Sequence, residues 1–415
     1  MLLEFACSNH RSIREEILFS MMAGTDTTDE DRLYETAGLK VLKSAVIYGA
    51  NGSGKSNLLD AISFLCRLVA ESGTNLPGKD IRQQPFKLDG AGRESTYKVQ
   101  LLAKGVRYAY GVSLKEMRVA EEYLYCFPNN RRTKVFERSG DVYTAGSRFR
   151  GKFSACKAEL APNQLLLSCA AQRSTVQEVK DVFTFFCQDL FVYAPAQHDG
   201  LLRYSLCRMW EDPALHAAVI VLLGSLGTGI KDIDISINRE KLASQKLPSF
   251  LSEAQRFFLL GDTEELITAK VKYDRFETDL MQEESAGITK LLAFVCLLID
   301  TIIGGRVLFC DSLESDFHPS LLRGLVKQFE TVNFETFPQM IFTTHETELL
   351  NLDLFRRDQI WFTELRKEDR STDLYSLIAI KNVRKEENFE RGYLAGKYGA
   401  IPVVNLHLGK IVCGQ

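Results

Sequence analysis

Eight consecutive residues near the start of the chain have the types and the spacing of a phosphate-binding loop. They read Gly-Ala-Asn-Gly-Ser-Gly-Lys-Ser over 49–56, which fits the pattern G-x-x-x-x-G-K-S. Because glycine adopts positive φ without strain, the backbone N–H groups of such a loop can curl around a phosphate. We expect Lys55 to reach the terminal phosphates of ATP and Ser56 to place its hydroxyl on Mg²⁺. The residues predicted to bind nucleotide here are Gly49, Asn51, Gly52, Ser53, Gly54, Lys55, Ser56 and Asn57.

The segments on either side of this loop are suited to position it. An apolar run over 45–48 precedes it, which is typical of a buried parallel strand. Apolar residues at 58, 61, 62 and 65 follow it at helical spacing. The predicted order is therefore strand, glycine loop and helix, and the positive end of the helix points at the phosphate.

Three further signals occur in the second half of the chain. Asp311 follows four apolar residues, as a second Mg²⁺-binding carboxylate at a strand end would. Ser285 and Gly287 open an apolar helix that runs to Ile303, so its first N–H groups could bind a phosphate. His345 ends the next predicted strand. Each signal alone has an ordinary structural explanation, and it is their order that favours a nucleotide site.

This order resembles the ABC-type ATPases of the RecF and SMC kind. It is most similar to the small RecF-like ATPases of abortive-infection and other anti-phage systems, which are related to the OLD nucleases. The resemblance covers roughly 1–125 and 281–402. It is carried by Phe5 with Asn9-His10-Arg11-Ser12-Ile13, Gln84-Pro85-Phe86, the run from Asp311 to Pro319, Thr343-Thr344-His345-Glu346, and the run from Glu390 to Pro402.

The resemblance implies roles for these residues. Asn9, Arg11 and Ser12 would contact nucleotide, and Gln84 would join Ser56 and Asp311 at the metal. Such heads dimerise head to tail. Ser285 and Gly287 of one subunit would then face the ATP bound by the loop of another, and ATP would drive closure of the dimer.

The sequence departs from this family at Ser312. The family has a glutamate directly after the strand-end aspartate, where it orients the attacking water. Serine cannot take up a proton at neutral pH, and loss of a general base typically costs about 10²–10⁴-fold in rate. Two interpretations remain open. In the one we favour, hydrolysis is slow and ATP acts mainly as a clamp and signal; in the other, Glu314 or His345 does the work. The candidate catalytic residues are therefore Asp311, Ser312, Glu314 and His345.

The predicted fold class is α/β. We expect the head of an ABC-type P-loop ATPase, with a mixed sheet and an antiparallel β meander, interrupted by a mainly helical insertion. The predicted division is an N-terminal lobe over 1–125, an insertion over 126–280 that offers a partner or dimer surface, and a C-terminal lobe over 281–415. We also expect an acidic loop over 23–40 and a helix over 175–190.

The composition of the chain indicates its cellular compartment and whether disulfides, a zinc site or a membrane span are expected. The chain has 415 residues, a net charge of -3 and 45% apolar residues, as in an ordinary soluble globular protein. Its ten cysteines form no Cys-x-x-Cys pair, so we expect neither disulfides nor a zinc site. The start of the chain has no signal pattern, and the apolar run over 291–298 is too short to span a bilayer. The prediction is a cytoplasmic protein without a membrane partner.

Partners are predicted from charge and from the length of the chain. The segment from Arg131 to Lys157 contains eight basic residues and only two acidic ones. The basic residues could bind nucleic acid or an acidic protein, or simply form a solvated edge. Only 70 residues follow His345, too few for a fused Toprim nuclease, so a separate effector protein is expected.

Three functions remain open at this point. The first is an ATPase that forms a homodimer or a larger homo-oligomer and serves as sensor or scaffold for a separate toxic effector in anti-phage defence. The second is a RecF-like DNA-repair ATPase on duplex DNA. The third is an ATP-sensing pseudoenzyme with little turnover.

Overall fold

The computed structural model describes most of the chain. The described residues are 1–25, 29–73, 80–90, 92–157, 160–194, 198–237, 267–381, 383 and 387–402, without the side chains of Lys157, Ser315 and Asp316. Predictions that fall on 74–79, 238–266 and 403–415 lie outside these residues.

The strands of the described part of the chain form two large sheets and two small ones. In chain order they are β1 (Leu2–Ser8), β2 (Ile17–Ser20), β3 (Leu33–Thr36), β4 (Leu39–Leu42), β5 (Ser44–Gly49), β6 (Ser95–Ala103), β7 (Val106–Lys115), β8 (Arg118–Cys126), β9 (Thr133–Ser139), β10 (Val142–Ala145), β11 (Leu190–Tyr193), β12 (Asp232–Ile237), β13 (Ile267–Lys272), β14 (Glu277–Asp279), β15 (Val307–Cys310), β16 (Gln339–Thr343), β17 (Ile360–Leu365) and β18 (Thr372–Ser376).

The helices of the described residues alternate with these strands. They are α1 (Lys55–Ser72), α2 (Ser154–Lys157), α3 (Leu166–Arg173), α4 (Gln177–Thr184), α5 (His198–Glu211), α6 (Pro213–Ser225), α7 (Ala286–Gly304), α8 (Pro319–Thr331) and α9 (Phe389–Leu394). A single-turn 3₁₀ helix, Leu313–Asp316, follows β15 directly.

A six-stranded mixed sheet carries the loop. Its order is β11-β15-β16-β5-β17-β18, with β18 antiparallel to β17 and the other pairs parallel. Since β5 lies between β16 and β17, the loop after β5 opens at the same sheet edge as the ends of both neighbours. The strand that ends before Asp311, β15, lies one position further along this edge.

A seven-stranded antiparallel sheet forms the predicted meander. Its order is β10-β9-β8-β7-β6-β1-β2, so the first strand of the chain pairs with β6. The turn between β1 and β2 carries Asn9, Arg11 and Ser12. The chain start is thereby brought beside α1.

Alternate residues of β5 face two different cores. Ala45 and Ile47 pack in a core with α1 and the antiparallel sheet. Val46 and Tyr48 pack in a second core with α5, α7 and α8. This explains why the strand is apolar at every position, because both of its faces are covered.

Helix α7 is long and apolar enough to cross a membrane, judged by length and composition, and it is the one such helix among the described residues. The helix is longer than the apolar run 291–298 from which no span was predicted. Just over half of its most apolar window, 56%, is buried inside the protein. Its contacts with α5 and α6 account for that burial.

Three sequence predictions differ from the structure. The expected loop over 23–40 contains β3 and the first residues of β4, whose hairpin is too short to give a clear alternation. The expected helix over 175–190 ends in a π-helical turn, Phe185–Asp189, before β11. In the segment 126–280, β9 and β10 extend the antiparallel sheet and β11 joins the mixed one. The domain division stays a prediction, but residue 126 does not mark the end of a sheet.

Candidate nucleotide-binding site

The loop over 49–56 joins β5 to α1 and depends on two of its glycines. A Cβ atom at Gly49 would lie 2.5 Å from Ser53 Oγ. Gly54 has a φ of 109°, and a Cβ atom there would lie 2.7 Å from Thr372 Cγ2. Side chains at either position would fill the space in which the loop turns, so the glycines predicted from the motif are required by the geometry.

Lys55 lies under this loop and is largely buried. Its Nζ donates to the carbonyl oxygens of Gly49, at 2.8 Å, and Ala50, at 3.2 Å. Burial lowers the pKa of Lys55 to about 8, while the negative charges of Asp311 and Glu314 act in the opposite direction and raise it. The ammonium group is therefore held at the loop by carbonyl dipoles, in a place where an anionic phosphate would stabilise its charge. Ser56, at the exposed start of α1, is open to a ligand.

Two threonines, on β17 and β18, hold the loop through hydrogen bonds to Ser53. Thr363 on β17 shares a hydrogen bond of 2.6 Å with Ser53 Oγ. Thr372 on β18 donates to the Ser53 carbonyl at 2.9 Å. Sequence reasoning missed both residues, since each is more than 300 positions from the loop and a threonine within a strand gives no signal of its partner.

Ser12 and Asn57 meet beside these threonines. Asn57 Nδ2 donates to Ser12 Oγ at 2.6 Å, and Ser12 Oγ lies 2.7 Å from Thr372 Oγ1. The structure thus brings both predicted residues to the loop. Arg11 is about one-third exposed, and its Nε lies 2.8 Å from Asp60 Oδ2 on α1.

The side chain of Asn9 is hydrogen-bonded inside the protein. It is fully buried, its Nδ2 donates to the Arg93 carbonyl, and its Oδ1 accepts from the Phe86 N–H. Both polar atoms of its side chain are hydrogen-bonded inside the protein, and its contact with nucleotide stays a prediction. Its effect is to hold the segment of Gln84, whose carbonyl accepts from Arg11 N at 2.7 Å while its side chain is exposed.

Asp311 and Ser312 follow β15 at the same edge. Asp311 is 8% exposed, and its Oδ1 accepts from Thr343 Oγ1 at 2.7 Å. The same threonine oxygen accepts from the N–H of Ser312 at 2.7 Å. Ser312 has a left-handed conformation, with φ 53° and ψ 54°, so the chain turns sharply after the aspartate. Thr343, at the end of β16, is a further site residue that sequence reasoning did not assign.

Glu314 and His345 lie together on this side of the loop. Glu314 Oε1 accepts from the main-chain N–H of His345 at 3.0 Å. Burial, followed by the charge of Lys55, lowers the pKa of His345, so its imidazole is neutral at pH 7. These influences place Lys55, Asp311, Glu314 and His345 in one electrostatic neighbourhood.

Ser285 and Gly287 make no hydrogen bond or ion pair with the loop among the described residues of the same chain. Both are exposed. Ser285 caps α7, since its Oγ accepts from Ile288 N at 3.3 Å. A Cβ atom at Gly287 would meet nothing closer than Ser285 Oγ, at 3.8 Å, so nothing described within the chain requires a glycine there.

The residues present fit ATP and Mg²⁺. The loop offers N–H groups at a helix start, a lysine and two glycine positions that a Cβ would obstruct. Ser56 and Asp311 are the oxygen donors that Mg²⁺ prefers, although Gln84 needs its exposed amide to turn inward to join them. A bound Mg²⁺ would neutralise phosphate charge; the chain's own part is to hold and orient the phosphates.

The affinity of this site for ATP should fall as the pH rises above about 8. Free Lys55 has a pKa of about 8, and a bound phosphate raises the pKa of a neighbouring ammonium. Binding therefore takes up a proton above that pH, and affinity should weaken by up to about tenfold per pH unit. Calorimetry without Mg²⁺, from pH 7.5 to about 9.5 and in buffers of different ionisation enthalpy, measures affinity and proton uptake. An affinity that is constant over this range would contradict the assignment of Lys55.

Three solved structures resemble this chain in fold. The SMC head domain from Thermotoga maritima is 12% identical, with a TM-score of 0.40, and the match covers 90% of this chain and 98% of that one. The SmcHead bound to the C-winged helix domain of ScpA is 12% identical, with a TM-score of 0.41 and coverage of 90% and 97%. The Smc head domain with an extended coiled coil bound to the C-terminal domain of ScpA, from Pyrococcus furiosus, is 10% identical, with a TM-score of 0.41 and coverage of 90% and 96%. Comparison with curated proteins gives no match.

The fold and the loop together define a P-loop ATPase domain of α/β class, as the sequence predicted. A family model matches residues 44–165 and 203–351. The chain belongs to that family, which is described as "AAA domain, putative AbiEii toxin, Type IV TA system". The match begins at the first residue of β5 and continues past His345, so it includes the loop, Asp311 and His345, while Ser12, Thr363 and Thr372 lie outside it.

Proposed function

We propose that this protein binds Mg-ATP at the loop over 49–56 and hydrolyses it slowly. The observation that supports this most strongly is Lys55, buried under two glycine turns with Asp311 and Glu314 as its nearest opposing charges. Lys55 orients the terminal phosphates, Ser56 and Asp311 hold the metal, and Thr343 fixes the Asp311 carboxylate. Phosphoryl transfer needs mainly such positioning and charge stabilisation.

The ATP site is completed by a second copy of the chain. Ser285 and Gly287 are exposed and make no described contact with their own loop, as expected of groups that act on a partner's ligand. Exposed apolar side chains accompany them, since Phe276 is 59% and Met281 is 46% exposed. A head-to-tail dimer would cover these side chains and bring the start of α7 to the ATP of the other subunit.

Slow turnover suits a protein that uses ATP as a clamp. Ser312 takes the position at which related heads carry a glutamate, and its left-handed turn commits its N–H to Thr343. When hydrolysis is slow, ATP stays bound for longer, and bound ATP stabilises the closed dimer by mass action. In the pseudoenzyme alternative, the protein binds ATP with little or no hydrolysis. Phosphate release no faster than that of a Lys55→Ala variant would favour this alternative.

The closed dimer serves as sensor or scaffold for a separate toxic effector in anti-phage defence. The family description, which names a toxin–antitoxin system, supports this proposal. Co-expression with the neighbouring reading frame, followed by purification with and without ATP, tests it. An effector that copurifies, together with phage resistance lost in Lys55→Ala, is the expected result. Phage resistance that survives the Lys55→Ala change would overturn it.

A DNA-repair role is the second candidate, because one basic surface is open. Arg131, Arg148 and Arg150 are exposed. Arg138, in contrast, is buried beside Glu122 and belongs to the core, and the side chain of Lys157 lies outside the described residues. The surface is therefore smaller than the eight residues of the sequence suggest.

Charge reversal tests this second candidate. If duplex DNA binds here, Arg148→Glu with Arg150→Glu should weaken binding at least about tenfold at low salt and reduce the salt slope by about two. Fluorescence anisotropy with a labelled duplex, with and without ATP, measures both. An unchanged duplex affinity in this variant would exclude the surface as a DNA site.

A further inference from the structure

Glu314 has one engaged and one free carboxylate oxygen. It lies in the 3₁₀ helix Leu313–Asp316, three residues beyond Asp311. Its Oε1 accepts from the main-chain N–H of His345 at 3.0 Å. Its Oε2 is buried and has no hydrogen-bond partner among the described residues. A buried carboxylate oxygen without a partner is costly, so an absent donor such as a water molecule is expected there.

The free oxygen lies in the surroundings of the phosphate-binding lysine. The negative charge of Glu314 acts on both Lys55 and His345, against the burial that lowers the pKa of each. Glu314 thus shares the electrostatic surroundings of the lysine to which we assign the terminal phosphates, although no described hydrogen bond ties it to the loop. A water molecule that donates to Oε2 would stand between the carboxylate and the phosphate.

The turn at Ser312 explains why the carboxylate comes from residue 314. With φ 53° and ψ 54°, Ser312 reverses the direction of the chain directly after Asp311. The following 3₁₀ turn then carries Glu314 against the end of β16, where the His345 N–H fixes its orientation. Ser312 itself carries no group that ionises near neutral pH.

We propose that Glu314 is the general base of the ATPase reaction, a role that rests on the proposed function above. Oε2 orients a water molecule in line with the terminal phosphate and accepts one of its protons. The water oxygen forms a bond to the γ-phosphorus as the bond from that phosphorus to the β–γ bridging oxygen breaks. The products are ADP and inorganic phosphate, and the proton leaves Glu314 to solvent.

The hydrogen bond to His345 gives this base a second property. The donor is the main chain of the segment after β16, so any shift of that segment moves the carboxylate with it. The same segment is tied to the loop strand, because Tyr48 donates through its hydroxyl to the Glu346 carbonyl at 3.0 Å. Orientation of the base is therefore coupled to the strand that carries the phosphate loop.

Replacement of Glu314 by glutamine tests the proposal. Gln is isosteric and still accepts from the His345 N–H, but it cannot take up a proton. We expect Glu314→Gln to bind ATP within about threefold of the unmodified protein and to release phosphate about 10²–10⁴-fold more slowly. Glu348→Gln, the same change at an exposed carboxylate nearby, is the matched control and should keep the original rate.

A second pair of variants covers the other outcomes. Ser312→Glu should raise turnover, and the double variant with Glu314→Gln should keep part of that gain, because the new carboxylate replaces the old one. Phosphate release by Glu314→Gln at more than half the original rate would overturn the proposal. Release by the unmodified protein no faster than by Lys55→Ala would overturn it too, while intact ATP binding would leave the nucleotide site standing. Absence of ATP binding by the unmodified protein would overturn the proposed function itself.

Discussion

Replacement of Lys55 by alanine should abolish measurable ATP binding. The change removes the ammonium group held 2.8 Å from the Gly49 carbonyl and leaves the charge of Asp311 without its cation. Hydrogen bonds to charged groups are worth about 1.5–3 kcal/mol each, and a lysine can make two to the terminal phosphates. We therefore expect an affinity loss of at least about 10²-fold, measured by calorimetry or with a fluorescent ATP analogue.

The control separates this effect from a general loss of charge. Lys115 is exposed at the end of β7, so Lys115→Ala removes the same charge away from the loop. It should bind ATP like the unmodified protein. The melting temperature of Lys55→Ala should not fall, because a buried lysine whose pKa is lowered opposes folding at pH 7. If Lys55→Ala binds ATP with unchanged affinity, the nucleotide site has been misplaced.

Replacement of Ser285 by arginine should block ATP-dependent assembly and leave ATP binding by the monomer intact. Ser285 is exposed, so an arginine there finds room in the free subunit. In a head-to-tail dimer the same side chain would enter the space of the other subunit's ATP. Light scattering after size exclusion, with and without ATP, should show a monomer in both conditions.

Two further variants distinguish blocked assembly from a damaged helix. Arginine removes the cap on Ile288 N, which costs about 0.5–2 kcal/mol. Ser285→Asp keeps a good cap and places a negative charge where a phosphate is expected, so it should block assembly without loss of stability. Ser285→Thr keeps the cap with an added methyl group and should assemble. Normal ATP-dependent dimers of Ser285→Asp would exclude this face from the interface.

Features within one continuous segment could be predicted from the sequence. The loop over 49–56, the strand before it and α1 lie in a single stretch, where spacing alone defines strand, turn and helix. The strand β15 with its following aspartate and the apolar helix α7 were found for the same reason. The fold class followed from the order of these segments along the chain.

Contacts between distant segments could not be predicted. Thr363 and Thr372 contact Ser53 across more than 300 positions, and a threonine in a strand is too common to point to a partner. Asn9 belonged to a recognised motif, but motif membership did not reveal the buried bridge that its side chain forms between Arg93 and Phe86. Similarly, β11 was hidden because its four residues extend an apolar helical pattern.

The central position of β5 also sets the order of events during synthesis. The neighbours of this strand, β16 and β17, and the threonines that clamp the loop all come from beyond residue 338. At about 5–20 residues per second, the ribosome releases Thr372 roughly 15–60 s after Lys55. Until β16 and β17 are made, the strand before the glycine loop has neither of its neighbours, and until Thr372 is made the loop lacks one of its two threonine contacts. The proposed ATP site, and the proposed ATP-dependent dimer with it, is therefore expected to require the chain through Thr372.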